Sequence, residues 1–162
     1  MDLQEVQRVL EASDLFRAFK SQKPDAYLVH LFSMHGPGAP PTPQLGYYSP
    51  ITGGITSFRL DPLAQEPEDE PFNKGDSPLP LDLSTVTVTP GDAEEKALLY
   101  QREHVPAEAV TKVILLLQHL EQQLYNLTLV TSTFNILNVR IDASSGVLLK
   151  SEFRSIMSLR RD

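Results

Sequence analysis

The chain has four histidines, His30, His35, His104 and His119, and no cysteine. Without thiols there is no disulfide, no thiolate nucleophile and no Cys-based zinc or iron–sulfur site. No two of the histidines stand four apart on a helical segment, and none is paired with glutamate in a metalloprotease pattern, so no metal site is expected. A serine nucleophile needs a partner base and a strained turn such as G-x-S-x-G, and no such turn occurs. Pro50-Ile-Thr-Gly-Gly54 is too short for a phosphate-binding loop and lacks its lysine, so it reads as a hairpin turn. The acidic run Glu66–Glu70 lacks the ligand spacing of a calcium loop. Asn126-Leu-Thr128 has the form of a glycosylation sequon but falls inside a predicted strand. No catalytic residue, metal or cofactor is therefore expected. An enzyme built on His30 or His119 with scattered carboxylates is the weakest alternative.

Residues suited to binding are easier to find. Tyr47 and Tyr48 are adjacent in a predicted strand, where successive side chains point to opposite faces, so one is expected in the core and the other exposed. An exposed tyrosine offers apolar area with a polar tip. Beside it lies 36–43, with four prolines and two glycines in eight residues, an irregular connection able to dock on a partner. His30 sits in a predicted strand, and Arg140 on the polar side of another. His30, Tyr47, Tyr48 and Arg140 are the candidate binding residues.

These residues must be held by elements whose periodicity is legible. Leu3, Val6, Val9, Leu10, Phe16 and Phe19 recur at helical spacing, with Ser13-Asp14 as an interruption and Asp14 as a candidate N-cap. Pro24 closes the helical region. Ala26–Met34 is apolar on both faces, as in a central strand. Gln44–Ser49 and Ile55–Leu60 form a hairpin whose glycines supply positive φ. Leu81–Thr89 alternates and reads as a strand. Pro90-Gly91-Asp92 opens a helix with Asp92 as N-cap. Val110, Val113, Ile114, Leu117, Leu120 and Leu124 form a stripe that predicts a further helix over 107–124. Leu124–Thr133, Ile136–Asp142 and Val147–Phe153 read as strands. In the second of these, Leu137, Val139 and Ile141 face the core, and Asn138, Arg140 and Asp142 the solvent. The tail from Arg154 reads as a short helix or frayed end.

The chain reads as a duplication: helix, strand, strand, glycine-bearing turn, strand, twice over. Aligning the turns places Tyr48–Phe58 on Val139–Lys150. Pro24-Asp25-Ala26-Tyr27-Leu28 and Tyr48-Ser49-Pro50-Ile51-Thr52-Gly53-Gly54-Ile55 resemble the strand entry and the Y-x-P-x-T-G-x-I hairpin of PepSY-type domains, with one extra glycine. Val139-Arg-Ile-Asp-Ala-Ser-Ser-Gly-Val147 is similar to that family's V-x-I-D-A-x-T-G-x-V ending. The tandem copy also resembles the two-unit architecture of the proteinaceous beta-lactamase inhibitors. The resemblance implies a small α+β unit used for binding or for inhibiting peptidases, with no catalytic residue to carry over.

The resulting expectation is an α+β protein of two α-β-β-β units. The first spans 1–61 and the second 81–162. A Pro-rich, acidic linker over 62–80 joins them, with too little apolar content to order itself. The antiparallel sheets carry helices on one face. With 14 basic and 21 acidic residues the net charge is −7, which excludes a nucleic-acid partner. No apolar run is long enough to span a membrane, and the start lacks a basic, apolar export signal, so a cytoplasmic protein is expected. A mature exported domain given a new Met would read the same. The function expected is non-enzymatic binding of a protein or peptide partner through a sheet face or the Pro-rich loop. The alternative is a small-molecule site between helix and sheet.

Overall fold

The computed structural model describes residues 2–70 and 76–155. It is an α+β fold: three α-helices on one face of a single eight-stranded antiparallel sheet. Helices α1 (Leu3–Glu11) and α2 (Asp14–Gln22) lead into β1 (Tyr27–His35), β2 (Gln44–Ser49), β3 (Gly54–Leu60) and β4 (Leu63–Gln65). A short 3₁₀ turn (Leu83–Thr85) precedes α3 (Pro90–His104), β5 (Val110–His119), β6 (Gln123–Thr131), β7 (Asn135–Asp142) and β8 (Leu148–Ser155). The spatial order is β4-β3-β2-β1-β5-β6-β7-β8. Two meanders thus run outward from a central β1/β5 pair.

Helix starts follow local capping chemistry. Asp2 accepts from the Gln4 and Glu5 amides and opens α1. Ser13, rather than Asp14, caps α2 by accepting from the Phe16 amide at 3.2 Å. Thr89, rather than Asp92, caps α3, because Pro90 is preset for the first helical position. The apolar sides of the helices bury Leu3, Leu10, Phe16, Phe19, Ala93 and Ala97 against the sheet. On β2 and β3 they meet Leu45, Tyr47 and Phe58, and the ring of Phe16 lies 4.8 Å from Tyr47 edge-on. On β5–β7 the alternate residues Val113, Leu115, Leu117, Tyr125, Leu127, Leu129, Leu137, Val139 and Ile141 fill the same core.

The structure corrects three element assignments. The helix expected over 107–124 is strand β5 and the turn into β6. An unbroken apolar run such as Val113–Leu117 satisfies a period of two as well as 3.6, and pairing on both sides by β1 and β6 selects the strand. The strand expected over Leu81–Thr89 is a 3₁₀ turn in an otherwise extended segment, because both neighbours of every inner strand are already taken. Asp82 caps the turn, and Leu81 and Leu83 are buried beneath the helices. Of the expected tail, Arg154 and Ser155 belong to β8; 156–162 lie outside the described residues.

Each half contributes four strands, the fourth being β4 in one and β5, read from sequence as helix, in the other. The aligned turns therefore differ in place. The turn at 50–53 joins β2 to β3, whereas 143–147 joins β7 to β8, one strand further from the sheet centre. Gly53 and Gly146 both take positive φ there, at 72° and 77°.

Of the segment expected as a linker, Leu63–Gln65 is β4, paired to β3. Beyond β4 the chain crosses the sheet face opposite the helices; 71–75 lie outside the described residues. Ile55 and Asp69 exchange backbone hydrogen bonds, Tyr27 donates its hydroxyl to Pro78 O at 2.7 Å, and Glu68 takes Lys23 and the Thr52 hydroxyl. This strap buries Val29, Tyr48 and Ile55.

Leu117→Ala is expected to lose about 2–5 kcal/mol, since it opens a cavity in a closed core. Met34→Ala, on the opposite face and 46% exposed, should stay within about 0.5 kcal/mol. Urea unfolding of the two variants checks this; equal losses would mean the faces are assigned wrongly.

Candidate functional site

On the face opposite the helices the strap covers β2–β4 and the first part of β1, and its end at Pro78 and Leu79 reaches Gln118 of β5. Beyond it, across Phe32 and Met34 of β1, Lys112, Ile114 and Leu116 of β5, and β6–β8, the described residues place no helix or loop over that face. Strand alternation builds it. Phe32 and Met34 of β1 stand opposite Leu116 and Ile114 of β5, making a half-buried apolar patch. Next come Asn126 and Thr128 of β6, opposite Arg140 and Asn138 of β7. Asn138 donates to Asn126 Oδ1 at 2.6 Å and to Thr128 Oγ1 at 3.2 Å, so this polar band is ordered internally. Lys150, Glu152 and Arg154 of β8 form the rim, and Lys112 lies beside Val130 at the far end.

The electrostatics of the face oppose those of the chain. Lys112, Arg140, Lys150 and Arg154 stand there against two carboxylates, Glu152 and, at the end of β7, Asp142, which accepts from the Ser144 and Ser145 amides and from Gln122, although the protein carries −7 overall. Arg140 lies mid-face, and its Nε is buried with no hydrogen-bond partner. A buried unpaired donor costs free energy that an incoming carboxylate recovers. At the β6–β7 turn, Phe134 is 67% exposed and holds φ at +62°, a conformation that bulky residues avoid.

Of the candidate binding residues, only Arg140 is on this open face. Tyr47 is buried among the helices, donating to Glu11 at 2.7 Å; burial and that carboxylate hold its hydroxyl well above the usual phenol range. Tyr48, on the opposite face, is buried as well, so neither tyrosine of the pair is the exposed one that alternation suggested. The strap covers it, with Ser77 Oγ 3.3 Å from its hydroxyl and the ring of Tyr27 edge-on at 5.8 Å. His30 is buried beside Val29 on the strapped side, where a bulge in β1 sets both residues against the strap. Its ring lies over Gly46, where any Cβ would collide with it. Burial pulls the His30 imidazole down to about 4. The residues that sequence reasoning missed are Phe32, Met34, Ile114, Leu116 and Phe134. The helix assigned over 107–124 concealed the first four, because their face exists only once β5 pairs with β1.

A second polar cluster lies between β1 and α3. Ser33 Oγ is 2.9 Å from His35 Nδ1, and His35 Nε2 meets Glu94 Oε1. With its proton on Nε2 the imidazole donates to the carboxylate and accepts from the serine. Serine, histidine and glutamate in a chain are the parts of an activated nucleophile, but Ser33 is fully buried and its hydroxyl also accepts from the Thr42 amide. Glu94 Oε2 accepts from the Gly38 amide at 3.2 Å. The cluster thus pins the Pro-rich loop to α3. Among the described residues no three His, Asp or Glu side chains are placed to hold a metal ion, and no helix is long and apolar enough to cross a membrane. An open groove of about 420 Å³ runs between α3 and the β7–β8 turn, lined by Leu99, Tyr100, Ile141, Val147 and Leu148.

No family model matches the sequence, and no curated protein matches it. The fold is similar to a crystal structure from Clostridium difficile 630, provisionally described as that of a lipoprotein. The TM-score is 0.53 at 17% identity, over 87% of this chain and 91% of that one. The likeness is one of fold.

Because His30 is harder to protonate folded than unfolded, its contribution is complete above pH 6.5 and is lost as pH falls toward 4. The loss should reach roughly 3 kcal/mol. The depressed carboxylates Glu68, Glu108 and Asp142 lose their contributions only below their ordinary carboxylate range. Urea midpoints at pH 7, 6 and 5 should therefore fall steadily in the wild type and stay nearly flat in His30→Gln. An equal slope in both would assign the effect to another group.

Proposed function

We propose that this protein is a non-enzymatic binding module that engages an acidic protein partner through the open face of β1 and β5–β8. The observation that carries the reading is the contrast across one sheet face. The protein covers one half with its own acidic strap and leaves the other bare, apolar along β1 and β5 and cationic from Arg140 outward to β8. An apolar patch flanked by a polar, charged rim is the anatomy of a protein interface. The unpartnered Nε of Arg140 asks for a carboxylate from the partner, and the apolar patch for aliphatic or aromatic side chains beside it. The kinship with tandem PepSY-type domains belongs to the same proposal. It rests on the Tyr48–Ile55 and Val139–Val147 hairpin sequences and on strands covered by helices on one side. A small apolar ligand in the groove between α3 and the β7–β8 turn is the second reading, favoured by its floor of Ile141 and Leu148.

Affinity capture from the source cell tests the first reading, with three proteins run side by side. A partner retained by the wild type and by a helix-surface control, Gln7→Ala, should be lost from Arg140→Glu/Leu116→Asp. Capture unchanged by the face substitutions would sink the reading. Phe134→Gly sharpens the test: it should stabilise the fold by about 1 kcal/mol, by releasing the positive φ, while weakening capture.

A further inference from the structure

We infer that two copies of this chain pair through the outer edge of β8, joining their sheets into one. The two edges of the sheet differ in capacity. β4 has three residues, whereas β8 has eight and, among the described residues, is bordered only by β7. The free amides and carbonyls along an edge strand are a template for another strand. Of the exposed large apolar residues, Val147, Leu148, Leu149 and Phe153 cluster on β8 and the turn before it.

The order of side chains along β8 names the occupant. In an antiparallel pair about a two-fold axis normal to the sheet, opposing residues share a face, so allowed registers step by two. Centring the axis on Glu152 sets Glu152 against its own copy and Lys150 against Arg154, like against like. Centring it on Phe153 sets Glu152 against Arg154 twice and brings the two phenylalanines, each 42% exposed, together at the axis. The sequence Glu152-Phe153-Arg154 is thus complementary to itself read backwards. The Glu152–Arg154 ion pair within each free strand is exchanged for two across the interface. Because the short β4 edge offers no second template, pairing closes at two copies instead of continuing into a fibre. The open face then runs unbroken across both copies. This inference concerns the edge, not the face, and stands apart from the identity of any partner.

Sedimentation of the full chain at concentrations on the order of 100 µM should show a species near twice the 18.1 kDa chain mass. Glu152→Lys alone and Lys150→Glu/Arg154→Glu alone should each weaken self-association at least about tenfold, since each makes the edge single-signed. Mixing the two variants should restore a mixed dimer. Circular dichroism melts confirm that both variants fold. Hydrogen exchange of the wild type supplies a check that needs no substitution: amides within 151–154 should gain protection as concentration rises. A monomer at all concentrations would overturn the inference. So would undiminished pairing by Glu152→Lys, a failed mixture of folded variants, or protection that ignores concentration.

Discussion

The pairing of β1 with β5 is the interaction on which the rest of the molecule depends. Six residue pairs, from His30 with Gln118 to His35 with Val113, join two four-stranded meanders into one sheet. β5 is paired by β6 along the whole of this joint, and β1 by β2 as far as Phe32. A one-residue slip would exchange Leu31 and Leu117 with Phe32 and Leu116, turning the core outward. Two devices hold the register. The bulge at Val29 fits His30 over Gly46, and the His35–Glu94 contact ties the end of β1 to α3. Neither His35 nor Glu94 reaches solvent freely, and breaking a buried pair leaves an uncompensated group behind. That contact links the two halves of the chain a second time, outside the sheet.

The asymmetry of the opposite face is a consequence of that joint. The chain must travel from β4, at one edge, back to α3 on the helical side, and its route crosses the back of β1–β3. Glycines at 46 and 54 leave room for the His30 ring and the Glu68 side chain. The strap is acidic, and Lys23 and the Thr52 hydroxyl receive Glu68. No such return is needed on the β5–β8 side, where the meander simply runs outward. The bare half and its cationic rim are thus products of topology. Fold similarity to the Clostridium difficile 630 structure at 17% identity fits a pattern carried by alternation and layer order more than by individual residues.

Local chemistry in the sequence was sufficient for much of this. The period of two in Ile136–Asp142 placed Leu137, Val139 and Ile141 in the core and Arg140 outside it, because a strand with one buried face has only one way to present them. Gln44–Ser49 and the glycine turn after it were legible from β propensity and the need for positive φ. The break between α1 and α2, the opening of α3 at Pro90 and the antiparallel α+β class came from capping residues and punctuation.

What only the tertiary structure decided was pairing. Val110–His119 holds apolar residues at spacings compatible with helix and strand alike, and the choice fell to β1, far earlier in the chain, which offered an edge. That choice created the open face, since Phe32 and Met34 meet Ile114 and Leu116 only across this ladder. It also settled the tyrosines. Alternation sends Tyr47 and Tyr48 to opposite faces, but only the path of the strap buries Tyr48. Sequence determines which face a side chain takes within its own strand; what lies over that face depends on segments distant in the chain, whose approach no local pattern encodes.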